Sequence, residues 1–340
     1  MKQFGLVLGT FLPFHKGHEF LVNFALNYCD EVYVIASTRS QEPIAGYKRV
    51  AAIRNTFMGK PIHVVEHNDD NAPQNPVGDN DVDFWNYWKN TINGLTGSVK
   101  FDYVFSSENY GEKVAEILEA KHITVDKSRT ILPISGTTIR KYPIAFQDQI
   151  SDHMVKHLRK HYVMFGAESI GKTTMTKLVA HDFTNAHCIP EYARPYLESQ
   201  EDKSPSIPNM RNIFRGQYAY EASSKNELGG SCISVLDTDL MSTVGYARMV
   251  GMDWSEYETM VDIGKDNIYF VLGQNEVPFE ADILRYGGDK RESDDQYWID
   301  LLNEFDRKFV YVTGTLEERR KFIIDYIRND VKKLFEFERE

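Results

Sequence analysis

The chain has 340 residues, of which 42% are hydrophobic and 26% charged, and its formal net charge is −11. This length is sufficient for two ordinary domains with separate cores, and the composition is typical of a soluble globular protein. The acidic balance argues against broad contact with nucleic acid or an anionic membrane, because both need a basic face. It leaves room for a local basic pocket that binds a phosphorylated small molecule.

The first residues predict a strand rather than a targeting segment. The string "MKQFGLVLGTFL" has a lysine before apolar residues, but glycines interrupt it and no small-residue cleavage site follows. No stretch approaches the roughly 20 apolar residues that span a bilayer. The cysteines are Cys29, Cys188 and Cys232; their odd number and wide spacing predict buried reduced thiols in a cytoplasmic protein.

The first half of the chain alternates strand-like and helix-like patterns. This alternation predicts a parallel sheet covered on both faces, with a long polar loop at 68–80 of the kind that lies beside a binding site or is disordered. The short apolar runs that predict its strands lie at 3–8, 31–36, 61–66, 102–105 and 122–125.

A second alternating series follows the polar stretch at 147–160. The whole pattern therefore predicts two α/β domains, at 1–150 and 158–340. The final helix is expected to begin at Thr315, with a capping box to Glu318, and its basic cluster Arg319–Lys321 is expected on the solvated face. The strands of this second domain are predicted at 162–165, 187–189, 232–236, 268–272 and 309–312.

The string "GTFLPFHKGH" predicts a phosphate-binding site directly after the first strand. In a parallel α/β domain that loop lies at the carboxyl end of the sheet, where ligands bind. Backbone N–H groups at Gly9 and Thr10 and the helix N-terminus near Gly17 face the same space. His15 and His18 then supply imidazole donors toward charge that develops on a phosphate. A zinc site is the weaker interpretation, since no cysteine or carboxylate lies near enough to complete a ligand set.

A second string, "ISGTTIR" at 134–140, adds hydroxyl donors and the fixed positive fork of Arg140. Together the two strings resemble the signatures of the HxGH nucleotidyltransferases, which join a phosphate or phosphorylated compound to a nucleotide and release pyrophosphate. In the common family form ISSTxxR, Gly136 replaces the second serine, which leaves one hydroxyl contact open. The resemblance implies a Rossmann-like domain that binds ATP through Gly9, Thr10, Phe11, Gly17, Ser135 and Thr137.

The string "GAESIGKTT" fits the P-loop pattern G-x-x-x-x-G-K-[ST] and stands between a predicted strand and a predicted helix, as that motif requires. Lys172 would reach the β- and γ-phosphates of ATP, and Thr173 would bind Mg²⁺. The remaining positions expected to bind the phosphates are Gly166, Ala167, Glu168, Ser169, Ile170, Gly171 and Thr174.

Charged residues farther along are candidates for phosphoryl transfer. A lone Asp after a strand is usually a cap or turn residue, but with a P-loop upstream Asp237 is assigned to Mg²⁺. Glu191 in "PEYARPY" is either the base for an acceptor hydroxyl or a surface charge, and Asp239 is the alternative for orienting that hydroxyl. Arg285 and Arg291 lie in a Gly-rich charged loop and are either a lid over ATP or exposed.

The order of the two sites resembles the NadR family, in which nicotinamide mononucleotide adenylyltransferase is joined to ribosylnicotinamide kinase. The resemblance covers nearly the whole chain and extends to the strings "FWNYWKNTI", "SSENYGE", "VDKSRTILPISG", "EYAR" and "DTD". It implies ATP-dependent phosphorylation of nicotinamide riboside to nicotinamide mononucleotide, followed by adenylyl transfer that yields NAD and pyrophosphate. Mg²⁺ would be the cofactor of this cytoplasmic enzyme of NAD biosynthesis.

The resemblance also implies substrate contacts for aromatic residues. Nicotinamide is a flat cationic ring on which Trp85 or Trp88 would stack, although tryptophans three apart on a helix are more often core. Tyr192 would play a similar part in the kinase site, together with Arg194 and Asp239.

Two other classes of protein stay open. One is another HxGH adenylyltransferase–kinase pair, from the pantetheine or flavin pathway, and the other is a non-catalytic nucleotide sensor. The intact histidines, Lys172, Thr173 and Asp237 argue against the sensor. Some NadR proteins begin with a DNA-binding helix-turn-helix, whereas this chain starts directly with the strand "FGLVL", which predicts no repressor function. We expect no nucleic-acid or membrane partner, and a homo-oligomer stays open.

Overall fold

The computed structural model describes residues 2–78, 81–274 and 294–336. The chain divides into two compact units, residues 1–157 with 332–340 and residues 158–331. Each unit contains a five-stranded sheet, and all strand pairs within the described ranges are parallel. The predicted α/β class with two parallel sheets is confirmed. None of the helices in these ranges is long and apolar enough to cross a membrane.

The strands of the first sheet are β1 (Phe4–Gly9), β2 (Glu31–Thr38), β3 (Ile62–Asn68), β4 (Tyr103–Ser106) and β5 (Lys121–Thr124). The helices that accompany them are α1 (Lys16–Tyr28), α2 (Gly46–Thr56), α3 (Val82–Thr96), α4 (Tyr110–Ile117), α5 (Gly136–Lys141) and α6 (Asp152–Leu158). The strand order is β3-β2-β1-β4-β5. Because the winding reverses between β1 and β4, the loops that follow these two strands diverge and leave a crevice.

The strands of the second sheet are β6 (Lys160–Phe165), β7 (His187–Ile189), β8 (Ile233–Asp237), β9 (Ile268–Leu272) and β10 (Lys308–Val312). The helices in this half are α7 (Lys172–His181), α8 (Ala193–Glu198), α9 (Ile207–Glu227), α10 (Leu240–Met249), α11 (Glu258–Val261), α12 (Asp295–Glu304) and α13 (Leu316–Lys333). The order β10-β9-β6-β8-β7 again places the first strand of the unit in the centre. Asp237 is paired in register with Met164, so it lies beside the end of the central strand.

Two details of the second unit bear on the sequence predictions. The capping box of α13 is confirmed, because Glu318 Oε2 accepts hydrogen bonds from Thr315 N and Thr315 Oγ1, both at 2.8 Å. The prediction that all three cysteines are buried is wrong for Cys188, which is exposed. Cys188 is the middle residue of the short strand β7, where alternate side chains point to opposite faces of the sheet.

A buried ion pair fixes the start of the loop after β1. Arg49 of α2 has no exposed surface, forms an ion pair with Glu42 and donates from Nη1 to the Thr10 carbonyl at 2.6 Å. Glu42 also accepts a hydrogen bond from Arg39 N at 3.1 Å. The polypeptide that leaves the central strand is therefore held by a charge from a neighbouring helix.

We expect Glu42→Ala to destabilise the first unit by about 3–5 kcal/mol, because it removes the carboxylate that a buried guanidinium faces. The measurement is native-state hydrogen exchange of the β1 and β2 amides, which reports on one unit at a time. The matched control is Lys113→Ala, whose ion pair with Glu116 lies at the surface and is worth at most about 1 kcal/mol. Equal losses in the two variants would contradict the stabilising role of the buried pair.

Candidate functional site

The loop after β1 places His15 at the N-terminus of α1. His15 is the N-cap residue, and its Nδ1 accepts a hydrogen bond from Gly17 N at 3.1 Å. In a neutral ring the proton is then on Nε2, which leaves that nitrogen as a donor. A Cβ at Gly17 would come within 2.9 Å of His15 Cε1. The glycine between the two histidines is therefore needed for the ring of the first one to cap the helix.

The two histidine side chains lie against each other. The rings of His15 and His18 are stacked with centroids 3.7 Å apart and planes inclined by 25°. The buried ring of Phe11 meets His18 edge-on at 4.9 Å. These contacts hold the two imidazoles together. The loop that carries them begins at Thr10, directly after Gly9, the last residue of β1.

The environment keeps both imidazoles neutral. Burial, together with the positive charges of Arg129 and Arg140, lowers the pKa of His15 to about 3. Burial of the ring also lowers the pKa of His18 well below its ordinary value, with smaller contributions from His15 and Arg129, although part of the residue surface meets solvent. Near neutral pH each ring thus carries no charge and has a single N–H group.

The second predicted string packs against the first. Ser135 caps α5, and its Oγ accepts from Thr138 N at 3.1 Å. Arg140 donates from Nη1 to the Leu12 carbonyl at 2.5 Å and from Nη2 to Thr137 Oγ1 at 3.2 Å. The structure therefore brings the two signatures together, as the parallel fold predicts, with Arg140 attached to the loop that carries the histidines.

The departure from the form ISSTxxR has a steric cause. A Cβ at Gly136 would lie 2.7 Å from the Leu12 carbonyl oxygen and 3.3 Å from Arg140 Nη1. The obstacle is backbone, which cannot rotate away as the end of a flexible side chain can. In this chain the close approach of the two strings takes the space that a serine side chain would need.

Arg129 is a charged residue that the sequence analysis did not single out. It is one of the two arginines whose charge lowers the pKa of His15, and it is held by Glu108, whose Oε1 accepts from Nη2 at 2.6 Å. Its loop is shaped by Asp126, whose carboxylate accepts from the backbone N–H groups of Thr130 at 2.8 Å and Leu132 at 3.1 Å. The only sequence signal was the string "VDKSRTILPISG", which contains it.

Trp85 and Trp88 both lie in the core. They are buried on α3 in one hydrophobic cluster with Leu6, Ile92 and Val104. The core interpretation therefore fits both residues, and stacking on a nicotinamide ring stays a prediction for either. Trp88 also meets the ring of a buried histidine, His67, at 5.3 Å.

In the second unit, a cavity of about 520 Å³ opens over the predicted P-loop. It is lined by most of the residues predicted to bind the nucleotide and substrate, namely Glu168, Ser169, Ile170, Gly171, Lys172, Thr173, Thr174, Glu191, Arg194 and Asp237. Gly166 and Ala167 lie at the end of β6, and Lys172 Nζ donates to their carbonyls at 2.9 and 2.6 Å. A string of consecutive residues and two more distant acidic residues thus meet at one concave surface.

Asp237 is placed where a magnesium ligand would be needed. It is the last residue of β8, buried, and its carboxylate accepts a hydrogen bond from Thr173. Burial raises the pKa of Asp237, while Thr173 and Lys172 oppose that shift. No group of three or more His, Cys, Asp or Glu side chains suited to a metal occurs in the described part of the chain. A hydroxyl and one carboxylate nevertheless fit Mg²⁺, which takes its other ligands from phosphates and water.

The structure does not bring Asp239 or Tyr192 to this cavity. Asp239 is buried as the N-cap of α10, where it accepts hydrogen bonds from Tyr269 OH at 2.5 Å and Asn267 Nδ2 at 3.2 Å. The ring of Tyr192 lies against α9, where a Cβ at Gly216 would overlap it. Between the two candidates for orienting an acceptor hydroxyl, the cavity wall includes Glu191 and not Asp239. The two predicted lid residues, Arg285 and Arg291, lie outside the described residues.

The prediction for the basic cluster of the last helix is wrong at Arg319. This side chain is buried, lines the cavity and donates from Nε to the Gly314 carbonyl at 2.6 Å. Only Lys321 of the cluster is exposed, since Arg320 pairs with Asp182 at 2.7 Å. Further wall residues that the sequence did not assign to a site are Met210, Ile213, Gln217, Thr243, Tyr246, Gly314, Thr315 and Leu316.

Comparison with known proteins agrees with this arrangement. A family model described as an AAA domain matches residues 161–319. Two curated proteins, each named trifunctional NAD biosynthesis/regulator protein NadR, from Salmonella typhimurium and Escherichia coli, are 25% identical over 334 residues. Each match covers 92% of this chain and 79% of the relative. The chain is thus homologous to NadR, and the resemblance noted in the sequence is confirmed.

Solved structures give the same result for the fold. A NadR protein in complex with NR is similar with a TM-score of 0.68 at 22% identity, covering 100% of this chain and 98% of that one. A NadR protein in complex with NAD and AMP-PNP has a TM-score of 0.65, with the same identity and coverage. Both α/β units and their order in the chain are therefore shared with NadR.

We expect Gly136→Ala to destabilise the protein by about 1–3 kcal/mol, because the added methyl group overpacks the contact with the Leu12 backbone. The control is Gly94→Ala in α3, where a Cβ meets nothing within 4 Å and the change should stabilise by about 0.4–1 kcal/mol. Thermal unfolding of the two variants should shift the midpoint in opposite directions. A neutral Gly136→Ala would show that the Leu12 loop can move aside.

The lowered pKa values of the two histidines predict acid sensitivity. In the folded chain His15 should stay neutral down to about pH 4, whereas the unfolded chain takes up its proton below about pH 6.5. The stability that depends on neutral His15 is therefore present above about pH 6.5 and is lost as the pH falls toward 3. NMR of the ring Cε1–H signals, assigned with His15→Gln and His18→Gln, should show no titration between about pH 8 and 5. The same signals in concentrated urea should titrate near pH 6.5, and a folded-state midpoint there would refute neutral rings.

Proposed function

We propose that the chain is a bifunctional enzyme of NAD biosynthesis. The second unit, within the predicted domain 158–340, would phosphorylate nicotinamide riboside with ATP to give nicotinamide mononucleotide. The first unit, which contains the predicted domain 1–150, would transfer the adenylyl group of a second ATP to that mononucleotide, giving NAD and pyrophosphate. The observation that carries the proposal is the occurrence of two loops with the sequence patterns of phosphate sites, each after the central strand of its own sheet, in a chain homologous to NadR.

In the adenylyl transfer, the phosphate of the mononucleotide attacks the α-phosphorus of ATP, and the bond from that phosphorus to the pyrophosphate oxygen breaks. Negative charge accumulates on the non-bridging oxygens in the transition state, where preorganised donors are most effective. The neutral rings of His15 and His18 donate N–H groups without gaining or losing a proton. Arg140, fixed by the Leu12 carbonyl, supplies positive charge for the phosphates of ATP.

In the kinase reaction, the 5′-hydroxyl of the riboside attacks the γ-phosphorus of ATP, and ADP leaves. Lys172 contacts the β- and γ-phosphates, and Glu191 orients the hydroxyl and accepts its proton. Thr173 and Asp237 would hold Mg²⁺, which when bound neutralises charge on the phosphate oxygens. Burial raises the pKa of Asp237. A cation bound beside this residue would oppose that shift and favour the ionised carboxylate that the role needs.

One incubation separates this function from its competitors. The protein is mixed with ATP, Mg²⁺ and nicotinamide riboside, and the products are resolved by chromatography. The proposal expects ADP, pyrophosphate and NAD, with the mononucleotide as intermediate. An enzyme pair of the pantetheine or flavin pathway would give no NAD, and a non-catalytic nucleotide sensor would bind ATP without forming product.

The two sites should fail separately. We expect His18→Ala to reduce NAD formation from the mononucleotide by about 10²–10³-fold, the usual cost of losing one preorganised donor, so that the mononucleotide accumulates from the riboside. Lys172→Ala should abolish phosphorylation of the riboside but leave NAD formation from the mononucleotide nearly intact. A mixture of the two variants should restore the whole path, because the intermediate diffuses. Loss of both activities in folded Lys172→Ala would point to one shared site.

A further inference from the structure

A buried polar connection runs along α9 beneath the kinase cavity. Gln217 and Glu221 are four residues apart, so they lie on one face of the helix. Gln217 Nε2 donates to Glu221 Oε1 at 3.2 Å. At one end Gln217 Oε1 accepts from Tyr192 N at 3.0 Å, and at the other Glu221 Oε1 accepts from Leu240 N at 2.8 Å. Two side chains thus join two backbone amides that belong to different loops.

The two loops are those that present the acidic residues of the cavity. Tyr192 follows Glu191 in the loop after β7, and Leu240 begins α10, directly after the short loop that follows Asp237, the last residue of β8. Strands β7 and β8 are neighbours, with Ile189 paired in register with Leu236. Beyond this last ladder pair, the described residues form no strand hydrogen bond that fixes the distance between the loops. The connection through α9 crosses that gap.

The connection contains a costly group. Glu221 has no exposed surface, and burial together with the nearby charge of Asp239 raises its pKa to about 8. Among the described residues its Oε2 has no hydrogen-bond partner. An apolar side chain at this position would avoid the cost of burying a carboxyl group. The geometry gives a reason for the carboxyl group, because Gln217 Nε2 and Leu240 N both donate hydrogen bonds to its Oε1 and an apolar side chain could accept neither.

We propose that Gln217 and Glu221 are positioning residues of the kinase site, which hold the loops after β7 and β8 at a fixed separation and thereby set the distance between the carboxylates of Glu191 and Asp237. This inference rests on the proposed kinase function. Gln217 also reaches the cavity wall, whereas Glu221 does not. A substitution at Glu221 therefore perturbs the connection without altering a surface that substrates can touch.

The main test is Glu221→Met, which removes the acceptor for Leu240 N and Gln217. We expect kcat for riboside phosphorylation to fall about 10- to 100-fold, because displacement of reacting groups by an ångström costs up to about 10² in rate. KM for ATP should change less than about threefold, since the P-loop is not part of the connection. Glu221→Gln keeps the Oε1 acceptor and should retain most of the activity. Gln217→Met breaks the other end of the connection and should give the same loss of kcat. This variant keeps the proposal testable if Glu221→Met does not fold.

The double variant Glu221→Met/Gln217→Met shows whether the two residues act as one unit. A single connection predicts a loss no larger than that of the worse single variant, whereas independent effects would multiply. The matched control is Ser224→Ala, another buried α9 side chain, whose hydroxyl donates to the Glu221 carbonyl of its own helix at 2.9 Å and has no other bond among the described residues. It should leave kcat within about twofold of the wild type. If Gln217→Met raises KM for the riboside while Glu221→Met has no effect, Gln217 is a substrate contact and the proposal is wrong.

A second measurement does not depend on the substrate. Hydrogen–deuterium exchange without ligands should be faster at Tyr192 and Leu240 in Glu221→Met and Gln217→Met, and unchanged in Ser224→Ala. Unchanged exchange in the first two variants overturns the connection itself. If the wild type forms NAD from the mononucleotide but does not phosphorylate the riboside, the proposed kinase function is wrong, and the positioning role is wrong with it. The exchange result would still establish that the loops are joined.

Discussion

Both candidate sites depend on the geometry of parallel strands at the centre of a sheet. The loops that follow parallel strands all lie at the carboxyl ends of the strands. Where the winding changes direction, the loops on either side of that point separate. In the first unit this occurs at β1, whose loop carries His15 and His18, and in the second at β6, whose loop is the P-loop. The sheet order thus predicts an opening beside each central strand, and the sequence of each loop decides how the opening is used.

The two loops would meet the charge of a phosphate in different ways. The P-loop brings a lysine that donates to the carbonyls of its own loop, with Asp237 beside it. The loop after β1 instead places two neutral rings in contact, with positive charge supplied by Arg140 and Arg129. Neutral donors suit a reaction in which no proton has to move at the reacting phosphorus, because they strengthen with the developing charge and need no change of protonation.

The sequence predicted the residues that are contiguous in the chain and left out those that fold against them. The strings around His15, Arg140 and Lys172 were recognisable because phosphate loops need a fixed order of glycine, hydroxyl and cation. Arg319 was assigned to solvent because helical periodicity does not say what stands opposite a helix, and here the first turn of α13 faces the P-loop cavity. Asp239 was a candidate for catalysis on position alone, but its carboxylate is used by Tyr269 and Asn267, which are distant in sequence.

A departure from a family signature can be explained by the distance between two signatures. Gly136 interrupts the form ISSTxxR, and taken alone it removes a hydroxyl from a phosphate site. In the structure the position touches the Leu12 carbonyl, the same atom that receives Arg140 Nη1. Because the loop that carries Leu12 lies close to α5, there is no room for a side chain at Gly136. The same closeness gives Arg140 a backbone acceptor that fixes the direction of its guanidinium group. The glycine and the arginine contact are therefore two consequences of one close approach, and a family pattern read position by position separates what the fold couples.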